Sequence, residues 1–334
     1  MTLAEFVVAL MWIGVTAYAV FAGADFGAGF WDLTAGNASR GKPQRELIAH
    51  SIAPVWEANH VWLIYVLVVL WTGFPRVFAA IMSTLYIPLT AAAIGVILRG
   101  SAFALRKAST EFQLERVFGA TFAASSVITP FFLGTVAGAV ATKRVPFGNA
   151  TGDAITSWWN PTGVFGGILA ITTCAFLAAV FLCVDASHRA PELVDGLRRR
   201  AIGAGLACGA LALAGIAVVH ADAPELYRGL THRGLPLVIA SALAGVVTLA
   251  MVRARQFAIA RATAALAVVA VVWGWAAAQY PYMLERAVTI RDAAGAHDTL
   301  VVLTIAIVAG GVVLAPSLLW LYTLATAGKL TQDN

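Results

Sequence analysis

Charge is what this sequence has least of. Only 12% of its 334 residues are Asp, Glu, Lys or Arg, about half the share in a soluble globular domain. With 60% of the residues hydrophobic, that scarcity excludes an ordinary soluble enzyme. Cysteine is scarce too. Cys174, Cys183 and Cys208 all fall inside apolar runs and none stands in a CxxC pair, so they read as small packing residues. No phosphate-binding loop, HExxH, catalytic triad or EF-hand pattern occurs. No polar stretch is long enough to hold a soluble domain, and no internal repeat stands out. The amino terminus, Met1 to Phe6, lacks the basic start of a cleaved signal peptide and is expected to remain as part of a first helix.

Apolar runs are what the chain does have. A bilayer-spanning helix needs about 20 apolar residues in a row. Such runs cover Phe6–Ala24, Val77–Leu98, Val117–Thr142, Thr162–Val184, Ala201–Val219, Ala262–Leu284 and Thr299–Gly328. Two less uniform segments, Ile48–Trp71 and Pro236–Val252, bring the expected count to nine. The reading is an all-α polytopic membrane protein forming a single integral membrane domain over 1–334. Within it a first group of helices covers about 1–142, an outer loop about 143–161, a second group about 162–284 and a last helix about 299–328. Trp158 and Trp159 suit an aromatic belt where that outer loop re-enters the membrane.

The net charge of +5 is explained by topology and calls for no nucleic-acid partner. With nine spans and the amino terminus outside, one set of loops holds 15 basic residues, among them Arg40, Arg45, Arg99, Arg106, Arg189 and Arg198 to Arg200. The opposite set holds 7, including Arg76, Lys143, Arg144 and Arg228. Basic loops stay inside, so the richer face and the carboxy terminus are expected to be cytoplasmic.

Against this background the acids at membrane depth stand out. Glu57 lies in Ser51-Ile-Ala-Pro-Val-Trp-Glu-Ala-Asn-His60, and Asp25 in Gly23-Ala-Asp-Phe-Gly-Ala-Gly29. A carboxylate at bilayer depth costs about 2.5–3.5 kcal/mol on insertion scales, so it must face protein or water. At about 1.5 Å per residue from the expected cytoplasmic turn, Asp25 and Glu57 sit about 15–18 Å deep. Asp32 is two turns nearer the cytoplasm than Asp25, and His50 is in the same relation to Glu57 on the next helix. The four would form a polar ladder suited to proton uptake. His60, one turn beyond Glu57, suits a relay or a hydrogen bond to it, and Asn59 and Trp56 add polar hydrogens at that level. Two plainer roles stand beside this one. Glu57 would hold two helices in register through a hydrogen bond, and Asp25, among Gly23, Gly27 and Gly29, would cap or brace a kink. Haem ligation by His60 would need a coaxial partner, and His188, His220, His232 and His297 fall at the surfaces, where they suit solvent or acids such as Asp222, Asp292 and Asp298.

These stretches resemble subunit II of the cytochrome bd-type quinol oxidases. Gly23 to Gly29 is similar to the family's glycine–acid–glycine pattern on helix one. Ser51 to Trp62 resembles its Pro-x-Trp-acid-x-Asn-x-x-Trp signature on helix two, with Trp56, Asn59 and Trp62 in place. Val145 to Gly148 with Asn160 to Gly163, and Ala278 to Tyr282 with Thr289 to Ala294, resemble its outer segments. The likeness runs in order along nearly the whole chain. The sequence departs from many members in having Glu for Asp at position 57, Ala for Gly at 58 and His for Gln at 60. It is also short around Arg228–Pro236, and its Glu-Ala-Asn-His is similar to the cyanide-insensitive-type branch.

The resemblance implies two four-helix bundles with one peripheral helix, in a bacterial inner membrane. It implies a haem-bearing subunit I as partner, carrying haem b and haem d, with a small single-helix accessory subunit beside it. Quinol and dioxygen would be the substrates of the complex. No catalytic residue and no metal ligand is expected in this chain, although a structural quinone is found in this subunit of some relatives. Glu57 would lie on a proton path towards the oxygen site, and Asp25 would match the helix-one acid. The alternative from another class is a proton-coupled secondary transporter using Asp25 and Glu57, which inverted repeats and broken paired helices would favour.

Overall fold

The computed structural model describes residues 1–36, 40–52, 56–108, 112–284 and 288–326. Among them are thirteen α-helices and no strand beyond one isolated bridge between Tyr282 and Thr289. In order they are α1 Leu3–Leu33, α2 Lys42–Ile52, α3 Trp56–Gly73, α4 Pro75–Thr84, α5 Tyr86–Ala108, α6 Phe112–Ala141 and α7 Pro161–Arg189. After a short 3₁₀ turn at Pro191–Leu193 come α8 Val194–Asp222, α9 Pro224–Thr231, α10 Leu235–Arg253, α11 Phe257–Gln279, α12 Ile290–Ala293 and α13 His297–Thr326. Eight of these are long and apolar enough to cross a membrane, or nine if the bent pair of α3 and α4 counts as one span. Each of the nine expected spans is represented.

Prolines set the differences from the expected spans. The residue before a proline is pushed out of the helical region, and Phe74, just ahead of Pro75, has φ −139° and ψ 59°. Helix α3 therefore ends at Gly73 and α4 leaves at 119° to it. Pro88 has no N–H for the Thr84 carbonyl, so α4 stops and α5 starts afresh at Tyr86. The expected span Val77–Leu98 is thus replaced by a short transverse helix and a span displaced towards the carboxy terminus. The expected helix Ile48–Trp71 is described on either side of residues 53–55, as α2 up to Ile52 and α3 from Trp56. The relation expected between His50 and Glu57 runs through those residues and so lies outside the described part.

Helix α1 is the common element of the interior. Its first turns, Ala4 to Met11, join a core with Val69, Phe74, Val77, Leu85, Leu284 and Leu300. Its later turns, Val20 and Ala28, join a second core built on Leu177 to Ala186 of α7. Helices α3, α6 and α7 all pack on it, and α5 packs on α6. On the other side α7, α8, α10 and α11 are neighbours, while α13 lies against α3. Lipid tails are as apolar as the side chains, so close backbone approach through small residues holds such helices together. Gly134 and Gly138 of α6 face Gly166 and Gly163 of α7 in this way.

Candidate functional site

Asp25 lies in mid-helix on α1, which runs unbroken from Leu3 to Leu33, so it caps nothing. It is 4% exposed, and its counter-ion is Arg99 of α5, itself 3% exposed. Arg99 donates from Nη2 to Asp25 Oδ1 at 2.6 Å and to the Asp25 carbonyl at 2.9 Å. Its Nη1 donates to Ser126 Oγ of α6, and that hydroxyl donates to the Phe122 carbonyl at 2.6 Å. The rings of Phe122 and Phe26 flank the guanidinium at 4.3 and 4.9 Å, an arrangement favourable to a cation. Three helices thus meet on one buried ion pair.

Arg99 is the residue that the sequence pattern misplaces. A span ending at Leu98 puts it in a cytoplasmic loop; a span beginning at Tyr86 puts it four turns inside a helix. Moving it out of the loop count leaves 14 basic residues on the richer face against 7, so the charge asymmetry survives. The signal available was Asp25 itself, since a buried carboxylate demands a partner.

The glycine signature explains how the pair is accommodated. A Cβ at Gly29 would run into Ser126 Oγ and the Arg99 guanidinium, and one at Gly27 would run into the backbone carbonyl of Cys174 on α7. Gly23 is looser, with Leu177 at 3.2 Å. Gly29 therefore opens space for the arginine, and Gly27 lets α1 and α7 touch.

Helix α3 approaches from the other side of α1. Asn59, 2% exposed, donates to the Phe21 carbonyl at 3.4 Å, and Tyr65 donates to the Leu10 carbonyl at 3.0 Å. Trp62 stands edge-on to Tyr65. His60 is in the electrostatic field of both Asp25 and Arg99. Glu57 and Trp56 belong to the first turn of α3, but their side chains lie outside the described residues. Asp32 is buried at the basic end of α1, with Arg45 Nε at 3.7 Å. His50 is on α2; burial first, then Arg189 of α7, pulls its pKa below the usual histidine value, while Asp185 of α7 opposes them. His60 is thus electrostatically coupled to Asp25, Asp32 is paired with Arg45, and His50 is coupled to Asp185 and Arg189.

Two of the acids named beside the outer histidines, Asp222 and Asp292, have other partners. Asp222 takes a bidentate pair from Arg144 at 2.9 and 2.7 Å and two hydrogen bonds from Thr162 at the start of α7. Asp292 bonds Thr289 at 2.6 Å. His220 packs edge-on against Tyr227, and His232 meets the Arg228 carbonyl. Among the described residues no three His, Cys, Asp or Glu side chains converge as a metal would require.

The sequence matches the family of cytochrome bd terminal oxidase subunit II over residues 3–325. The chain belongs to that family. Two curated members show the distance: subunit 2 of the cytochrome bd ubiquinol oxidase of Bacillus subtilis is 29% identical over 129 residues, 39% of this chain and 36% of that protein. Subunit 2 of the cytochrome bd-I ubiquinol oxidase of Escherichia coli is 26% identical over 180 residues, 52% of this chain and 46% of that protein. The aligned stretches thus span less than half of each of these relatives. The three-dimensional likeness is fuller. A chain in the structure of bd oxidase from Geobacillus thermodenitrificans superposes with a TM-score of 0.79 at 26% identity, covering 97% of this chain and 98% of that one.

Proposed function

We propose that this chain is the haem-free second subunit of a quinol-oxidising, oxygen-reducing complex in a bacterial inner membrane. In that complex it braces a haem-bearing subunit I and conducts protons inward from the basic, cytoplasmic face. Membership of the subunit II family over residues 3–325 supports the assembly, and tells against the proton-coupled transporter.

The observation that carries the proton path is the buried Asp25–Arg99–Ser126 cluster, with His60 of α3 in its field. In this reading Glu57, one turn before His60, is the group that takes up and releases the proton, and His60 passes it on. Asp32 and His50 mark the entrance. Asp25 has a different part. Its charge is held by Arg99, so it fixes the electrostatics of the path rather than carrying the proton. The partner's haems supply oxygen binding and electron transfer. Helices α1, α3, α5 and α6 form one bundle in this proposal and α7, α8, α10 and α11 the other, with α13 peripheral. A small single-helix subunit and a structural quinone complete the expected complex.

The test begins with the chain affinity-purified from its native membrane and a reduced-minus-oxidised optical spectrum. Bands of b-type and d-type haem with a second membrane polypeptide are expected. Glu57→Gln should then lose most quinol-dependent oxygen consumption at unchanged haem content. Full activity at equal haem would refute the proton-carrying role, and a colourless single-chain preparation would refute the assembly.

A further inference from the structure

At the face opposite the basic one, the seam of α7 and α8 carries a depression that the ion pair and the proposed path do not use. Two cavities of about 460 and 430 Å³ meet there, with Trp159, Asn160 and Pro161 as shared walls. The first runs into the membrane-spanning part along Val164, Phe165 and Ile168 of α7 and Val218 of α8. The Phe165 ring packs on Gly215 of α8 and closes its floor. The second lies at the level of the loop before α7 and adds Arg144, Thr156 and Ser157. The depression therefore changes from apolar to polar along its length. The change falls at Trp159, which is 56% exposed, as suits an indole at the edge of a bilayer.

The charges around the polar end select what it would hold. Arg144 gives one N–H from each terminal nitrogen to Asp222, and a guanidinium has further donors to offer. The start of α7 has no free amide for a bare anion. Pro161 has no N–H, the Thr162 amide is taken by Asp222, and the Gly163 amide by Asn160. Lys143 is paired with Glu225. Asp153, whose carboxylate accepts the Ile155 and Thr156 amides, adds a negative charge beside the cavity. Two cations are thus accompanied by three acids. We propose that this depression binds one zwitterionic phospholipid of the leaflet on that side. An acyl chain lies in the trough between α7 and α8, the phosphate meets Arg144 and the Trp159 indole N–H, and the ammonium faces Asp153. A molecule with no headgroup leaves the polar end uncovered, and an anionic phospholipid brings net negative charge to a rim that already has an excess acid. The site is independent of the proton-conducting reading.

The test counts phospholipid by native mass spectrometry on the protein purified from its native membrane in mild detergent. Val218→Trp fills the trough. Leu213→Trp adds the same ring to α8 outside it, at a position 71% exposed. One phospholipid per chain should survive washing in the unsubstituted protein and in Leu213→Trp. In Val218→Trp its occupancy should fall by about five-fold or more, the effect of overfilling a packed site. After delipidation, phosphatidylethanolamine should rebind about three-fold better than phosphatidylglycerol with the same acyl chains, as one exposed charge contact warrants. Equal occupancy in Val218→Trp and Leu213→Trp overturns the site, because a bulk lipid shell does not distinguish the two positions. Loss of a quinone instead of a phospholipid from Val218→Trp overturns the choice of occupant, and a preference for phosphatidylglycerol overturns the zwitterionic assignment. Should Val218→Trp not assemble, Trp159→Ala removes the shared wall and the indole donor, and full occupancy in that variant then overturns the proposal.

Discussion

Removing Arg99 and removing Asp25 should not cost the same. Each substitution strands a charge at a site 3–4% exposed, and breaking a buried pair from one side typically costs about 3–5 kcal/mol. The stranded partners differ in their escape. A carboxylate can take up a proton. From an ordinary aspartate value of about 3.9, neutralisation at pH 7 costs about 1.36 kcal/mol for each of about three pH units, near 4 kcal/mol in all. That sets a ceiling for Arg99→Met, and the ceiling falls as the pH falls. A guanidinium has no such escape, since it stays protonated at any pH used. Asp25→Asn should therefore be the more damaging change, with a cost that does not vary with pH. In Arg99→Met the folded state binds the extra proton, so stability should rise as the pH is lowered from 8 towards 5. The double variant Asp25→Asn/Arg99→Met buries no charge and should recover most of the loss. The assay is the thermal unfolding midpoint of the purified complex at pH 5.5, 7 and 8, with haem content as a check on assembly. Equal losses for the two single variants, additive in the double and flat with pH, would refute the ion pair as the organising contact.

Two further outcomes follow from contacts already described. Gly27→Ala should cost about 3 kcal/mol, the upper end for overpacking, because the Cys174 carbonyl it meets is backbone. Gly203→Ala, with open space around it, should be neutral or slightly stabilising; equal yields of the two variants from the membrane would contradict the close approach of α1 and α7. His50 has its pKa lowered by burial and by Arg189, so the stability it contributes is present above about 6.5 and is lost as the pH falls below that. His50→Gln should flatten the midpoint between pH 6.5 and 5, and an unchanged slope there would rule His50 out as its source.

How much of this was legible in the sequence depended on the range of the interaction. The eight or nine spans among the described residues were legible because bilayer insertion demands long apolar runs, which local composition records. The glycine–acid–glycine stretch of α1 and the Trp–Glu–Ala–Asn–His stretch of α3 were legible as a candidate site for the same reason: polar groups at membrane depth are expensive. Arg99 was not, because Leu98 ends an apolar run that the structure starts later, at Tyr86 after the break before Pro88. Neither was the reason for Gly27, whose partner Cys174 is far along the chain, nor the Arg144–Asp222 pair, which joins the segment after α6 to the end of α8 across 78 residues. Such pairings are written only in the folded interior.

The clamp on Asp25 also decides how labour is divided among the acids. A group that carries protons has to exchange them with its neighbours, whereas the Asp25 carboxylate is occupied by a guanidinium 2.6 Å away that is itself flanked by two aromatic rings. What it offers instead is a fixed dipole inside the membrane, with its negative end next to α3. A positive charge passing through His60 is steadied by Asp25 and opposed by Arg99, so the net effect depends on which of the two it faces. Asn59, bonded to the Phe21 carbonyl one turn of α1 before Asp25, holds α3 to that stretch of α1. The pair thus sets the potential that a proton on α3 experiences, and in the proposed path the mobile charge belongs to Glu57 and His60 while Asp25 and Arg99 stay put.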